Sequence, residues 1–125
     1  MIQILMVGLG GFLGSVSRYL VTGLAQKISN NPFFPYGTMT VNIIGCFLIG
    51  LMAALVQNKG YFGPNVRLFI MVGFIGGFTT FSTFSNETLS LITDGQFFAA
   101  AINIIASVGL GLFGVWFGYV VVNLI

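Results

Sequence analysis

Charged side chains are so sparse in this chain that they nearly dictate what it can fold into. Only Arg18, Lys27, Lys59, Arg67, Glu87 and Asp94 carry charge, and there is no histidine. Between them lie uncharged runs at 1–17, 28–58, 68–86 and 95–125. A helix that spans a bilayer needs roughly 20 mostly apolar residues. The second and fourth runs each hold one span plus a loop or tail, and the first and third must take in a charged residue near one end. A soluble domain carries about 25% charged residues, whereas this one has 5%, with 57% hydrophobic residues. A water-facing surface made from such a chain would be one large apolar patch. The expected fold is therefore an all-α integral membrane protein, a single four-helix transmembrane domain over 1–125.

Turn residues set the helix limits. Helix 1 is expected over about 3–25, followed by a loop through Asn30, Asn31, Pro32, Pro35 and Gly37, where two prolines and polar turn formers stop a helix. Helix 2 follows over about 38–57, helix 3 over about 66–93 and helix 4 over about 96–123. The separating turns contain Asn58-Lys59-Gly60, Gly63-Pro64-Asn65 and Asp94-Gly95. Helix 3 is expected to break near its middle, at Gly76-Gly77. Loops this short leave no room for a soluble domain, so any chemistry lies within the membrane or at its faces. The first basic residue follows the first apolar run, the reverse of a signal peptide. Cys46 is single, which excludes a disulfide framework and Cys-based metal sites. A net charge of +2, scattered along the chain, gives no footprint for nucleic acid.

Lysine and arginine in short loops set orientation. Lys59 and Arg67 flank the loop between helices 2 and 3, while Lys27 lies in the loop between helices 1 and 2, with Arg18 deeper in helix 1. The near balance is compatible with insertion in both directions. Gly10 and Gly14, Gly73 and Gly77, and Gly114 and Gly118 each make a small-xxx-small pair, which lets helix backbones approach closely in lipid. Such pairs serve either contacts within a chain or contacts between subunits, and four short helices do not easily surround a pathway alone. An oligomer is expected.

The stretch from Gly73 to Glu87 mixes three glycines, four phenylalanines and seven polar residues in one span. Polar groups in hydrocarbon are expensive and face protein or water. At helical spacing Thr79, Ser82 and Asn86 share one face, and Thr80, Thr83 and Glu87 another. Hydroxyls that bond back to their own helix would explain one or two of these residues, but not the run. Elsewhere Thr38 and Asn42 share a face of helix 2, and Asn103, Ser107 and Gly111 a face of helix 4. Neutral donors of this kind replace an anion's water without trapping it, and they equally hold helices together. Aromatic edges are positive and faces negative, so phenylalanine edges suit a small anion. No nucleophile has a neighbouring base, and the usual acid–base histidine is missing. The glycine-rich run at 8–14 puts Leu13 where a dinucleotide fingerprint needs a small residue.

The run Gly76-Gly77-Phe78-Thr79-Thr80-Phe81-Ser82-Thr83-Phe84 strongly resembles the signature of the CrcB/Fluc fluoride channels, supported by Gly37 to Asn42 in helix 2 and Gly14 to Arg18 in helix 1. The resemblance covers nearly the whole chain and is most specific in helix 3. It implies a dual-topology, antiparallel homodimer with two fluoride pathways, in the plasma (inner) membrane of a microbe. Fluoride would be exported passively to relieve its toxicity, chloride would be rejected, and the protein would be no enzyme. Carried over, Phe81 and Phe84 line each pathway with their edges, Asn42 is the helix 2 pore asparagine, and Ser82, Thr83 and Glu87 belong to a polar track. Asn103 and Ser107 fall where the helix 4 track lies, although Gly111 supplies no hydroxyl there. The backbone carbonyls of Gly76 and Thr79, from both subunits, resemble a central structural sodium site, and Arg18 an arginine near a pore entrance. Fluoride, a second copy and membrane lipid are the implied partners, with no nucleic acid. Two rival readings stand beside this one. A small multidrug-type proton-coupled transporter would need an embedded carboxylate, for which only Glu87 is available. A structural assembly subunit would lose only stability on replacement of Phe81 or Asn42.

Overall fold

A computed structural model describes residues 1–124. Among the described residues all regular structure is helical, and four spans are long and apolar enough to cross a membrane. Helix α1 covers Ile2–Ser29 and ends on Asn30 in the left-handed region. It runs four residues beyond the expected limit, because the helix stops only where Asn30 and Asn31 form the turn. Helix α2 covers Tyr36–Lys59 and ends on Gly60 at φ 63°. There the Gly60 amide reaches the Leu55 carbonyl in a 6→1 closure, and the Tyr61 amide, one residue on, reaches the same carbonyl at 3.2 Å.

The third span, Pro64–Thr93, is not one helix. Its first part, α3 (64–78), opens with Pro64 at the first helical position, where a missing N–H is harmless. It widens to π-type turns over Leu68–Ile75 and tightens again over Gly76–Phe78. Thr79 and Thr80 then take extended conformations, φ −91°, ψ 159° and φ −151°, ψ 120°. Helix α4 restarts at Phe81–Thr93, and α5 covers Phe97–Asn123. The break thus falls at Thr79-Thr80 rather than Gly76-Gly77. The reason is packing: a Cβ on Gly77 would lie 2.7 Å from the Gly11 carbonyl oxygen, so that glycine serves close approach rather than unwinding.

Glycine faces join the spans in two pairs. On α1, Gly10 and Gly14 lie against the backbone of Phe69 and Phe74 in α3, and Gly73 in turn lies against Val7 and Gly10. On α5, Gly118 lies against Phe47 of α2, and Gly50 of α2 against Val115. All three small-xxx-small pairs therefore work within the chain. Contact here gains dispersion and no hydrophobic driving force, since lipid is as apolar as leucine. The buried apolar side chains are correspondingly few (Val41, Ala54, Ile75, Phe78, Leu91 and Ala100 among them), and most large apolar residues face outward. Helix α4 buries Thr88 and Leu91.

Candidate functional site

Breaking a helix inside a membrane strands backbone groups, and these must find partners in protein or in a wet cavity. Asn42 of α2 supplies most of them. Its Oδ1 accepts from the Thr80 amide at 2.8 Å, and its Nδ2 donates to the Thr80 carbonyl at 3.0 Å. One side-chain amide thereby takes both backbone groups of one residue. In an unbroken helix the Thr80 amide would bond to Gly76, so the Gly76 carbonyl has lost its helical donor. The Thr79 carbonyl accepts from Arg18 of α1 at 3.3 Å. Thr80 also starts the next helix: its Oγ1 accepts from the Thr83 amide at 3.3 Å, a side-chain cap of the usual kind.

Beside the break lies a cleft of about 450 Å³. Asn42, Gly76, Thr79, Phe81, Phe84 and Ser107 line it, together with Thr80, Gly45, Cys46 and apolar residues of α2, α3 and α5. Six of the residues singled out from the sequence therefore meet at one place, although they come from three spans. The Phe81 and Phe84 rings stand 5.8 Å apart, tilted by 42°. Phe81 is 79% exposed in the single chain. The Ser107 hydroxyl oxygen is buried behind the cleft wall and has no protein partner. The walls thus offer one unused hydroxyl, the second Nδ2 hydrogen of Asn42 and two aromatic rings, all uncharged. Such a lining suits an ion that must arrive and leave.

The other expected residues lie elsewhere. Glu87 faces a second cavity of about 260 Å³, lined also by Thr22, Gln26, Phe33, Phe34, Thr38, Ser90 and Asp94. It opens at the end of the molecule that carries the α1–α2 loop and the α4–α5 turn. Thr38 donates to Glu87 Oε1 at 2.8 Å, while Oε2 is buried with no donor. Ser82 and Thr83 are exposed on α4, Thr83 taking the Thr80 hydroxyl at 3.0 Å. Asn103 is 1% exposed and donates to Thr88 Oγ1 at 2.9 Å. That bond ties α4 to α5. Within the motif two hydroxyls bond back to their own helix, Thr79 to Ile75 and Ser85 to Phe81.

Sequence reasoning passed over Thr80, Thr38 and Gln26 as site residues. Thr80 was hidden among like neighbours. The four-residue spacing of Thr38 to Asn42 marks it in the sequence without giving it a role, and Gln26, a lone amide near the end of an apolar helix, carries no such mark.

The sequence matches known proteins closely. The family model described as CrcB-like protein, Camphor Resistance (CrcB), matches residues 5–119. A protein of Methylobacillus flagellatus named fluoride-specific ion channel FluC is 42% identical over 99% of this chain and 97% of its own length. Proteins of the same name from Geobacter sulfurreducens and Rhizobium etli are each 46% identical, over 94% and 98% of this chain and the same shares of theirs. A match of this length and identity, in a chain whose motif residues meet at one cleft, leaves one conclusion: the chain is a multi-pass membrane protein and belongs to the CrcB family.

Proposed function

We propose that this protein is a fluoride-selective ion channel, not an enzyme, and that it lets fluoride leave the cell passively across the plasma membrane. The observation that carries the reading is the cleft shared by Asn42, Phe81, Phe84 and Ser107, in a chain whose relatives bear the name of fluoride-specific channels. Fluoride has a tightly held water shell. A pathway for it must replace that shell with donors that do not bind too strongly. The Ser107 hydroxyl, the spare Asn42 hydrogen and the positive ring edges of Phe81 and Phe84 supply such donors. The hydroxyls of Ser82 and Thr83 and the Thr38–Glu87 pair continue the polar track toward the membrane end, with Asn103 holding its α4 and α5 walls together. Arg18 draws anions toward the pathway from beside the break.

The working unit of the proposal is an antiparallel, dual-topology homodimer. Ser82, Thr83, Ser85 and Asn86 are exposed on α4 within a span. Such side chains facing lipid would be expensive, and a second copy would cover them. A structural sodium ion at the dimer centre belongs to the same reading. Unwound backbone carbonyls suit Na+, and the Gly76 carbonyl, short of its helical donor, fits that role. The Thr79 carbonyl would join it, although Arg18 already donates there and opposes a second positive charge. A bound sodium would supply only positive charge at the dimer centre; the residues around the cleft carry the anion.

The test is ion efflux from liposomes that hold the purified protein, read with a fluoride electrode and a parallel chloride electrode. Fast fluoride release without chloride release is the expected result. No fluoride release from verified dimeric protein would overturn the reading and turn attention to proton-coupled transport through Glu87.

A further inference from the structure

The second cavity owes its shape to one side chain that the pathway reading leaves unused. Gln26, near the end of α1, has both amide hydrogens and its carbonyl oxygen engaged by the segment that follows. Its Nε2 donates to the Asn31 carbonyl at 2.6 Å and to the Phe34 carbonyl at 3.0 Å, and its Oε1 accepts from the Gly37 amide at 3.0 Å. The Gly37 amide lies in the first turn of α2, whose N-cap, Pro35, provides no side-chain bond. Four N–H groups at a helix start lack intrahelical partners, and Gln26 satisfies one of them from another helix. Asn31 completes the loop by accepting from the amides of Phe33 and Phe34 at 2.9 and 3.2 Å. Gly37 also lies so close to α1 that an added Cβ would stand 2.5 Å from the Thr22 carbonyl oxygen. Thr22 and Gln26 are one helical turn apart, so together they form a seat for the start of α2. The next residue along is Thr38, which holds Glu87.

We propose that Gln26 is a positioning residue: by capping α2 from α1 it fixes Thr38 against Glu87 and thereby sets the geometry of the polar vestibule through which ions approach the cleft. This rests on the channel reading. Gln26 touches no ion in the proposal. It acts through the first turn of α2, as supporting residues act on functional groups elsewhere.

The experiment is a double-mutant cycle on fluoride efflux, using wild type, Gln26→Leu, Thr38→Val and the pair. Gln26→Leu is expected to slow efflux by about tenfold, the lower end of what a lost supporting contact does to a tuned site. In the Thr38→Val background it should add little, because the two act through one contact. An equal fold-loss in both backgrounds, or no loss in folded dimeric protein, would overturn the proposal. Vestibule geometry is read independently with Ser90→Cys in a Cys46→Ser background, by its rate of reaction with a water-soluble thiol reagent. Gln26→Leu should change that rate several-fold and leave Lys59→Cys, at the opposite end, unaffected. If Thr38→Val alone stops flux, the Ser90→Cys rate decides the matter, and an unchanged rate overturns the proposal. Wild type that passes no fluoride would overturn the channel reading instead, while the thiol rates would still report what Gln26 holds.

Discussion

The two halves of the third span make the most informative comparison in the molecule. Helix α3 is apolar and seated by glycines directly on α1, with Gly73 and Ile75 buried. Helix α4, two residues further on, carries the hydroxyls, exposes Phe81 and buries little beyond Thr88 and Leu91. Both belong to one continuous stretch of chain, yet one is scaffold and the other is held loosely at the place where an ion would pass. Where glycines bring two backbones together, as on the α1-facing side of α3, there is no room for the rings and hydroxyls that α4 presents. Dividing the span with a break separates the two duties. The division predicts that substitutions in α3 and its partners change stability first, and that those around α4 change transport first.

The most disruptive test is Gly14→Leu. A side chain there would collide with the Phe74 carbonyl, and backbone cannot yield as a flexible side chain does. The expected loss is on the order of 3 kcal/mol or more, seen as failure to recover monodisperse protein from detergent. Next comes Asn42→Leu, which strands the Thr80 amide and carbonyl together. It should cost about 2–3 kcal/mol in thermal unfolding and abolish fluoride efflux, and Asn42 is thus where the two duties meet. Phe81→Ala tests the other side of the division: with the ring largely exposed in the single chain, the fold of each chain should barely be destabilised while efflux falls at least tenfold. A large stability loss with proportionate efflux would break the comparison and favour an assembly subunit. Ser107→Ala should have the smallest effect. Removing a buried hydroxyl that has no partner leaves stability unchanged or raises it by less than about 1 kcal/mol, and efflux slows only several-fold.

The fold was largely legible because a bilayer forces regular spans on a chain with few charges. The glycine pairs were legible too, but not their partners, since α1 seats on α3 and α2 on α5, out of chain order. At the site, the polar and aromatic residues of the motif were visible as unusual, and four of them plus Asn42 and Ser107 do share a cleft. The point of the break was not legible. Gly76-Gly77 reads as a weak spot by local propensity, whereas Thr80 is pulled out of the helix by an amide 38 residues away in sequence. Gln26 escaped for the same reason: its bonds reach across a loop whose conformation no short window encodes. Asn103 was visible as polar, but its bond to Thr88 is a tie between helices.

The break also bears on how the chain is made. At 1.5 Å per residue, α3 is about 22 Å long and α4 about 20 Å, each short of a hydrocarbon layer of about 30 Å. Neither half could settle across the bilayer alone, and an open break in lipid would leave Thr80 without partners. Synthesis runs from the N-terminus, so the glycine seat on α1 and the Asn42 side chain on α2 already exist when residues 64–93 emerge. On that order of synthesis the third span would be received by partners already in place. Exchanging the order of its partners, as in a circular permutant that begins after Lys59, should impair insertion far more than it impairs the finished fold.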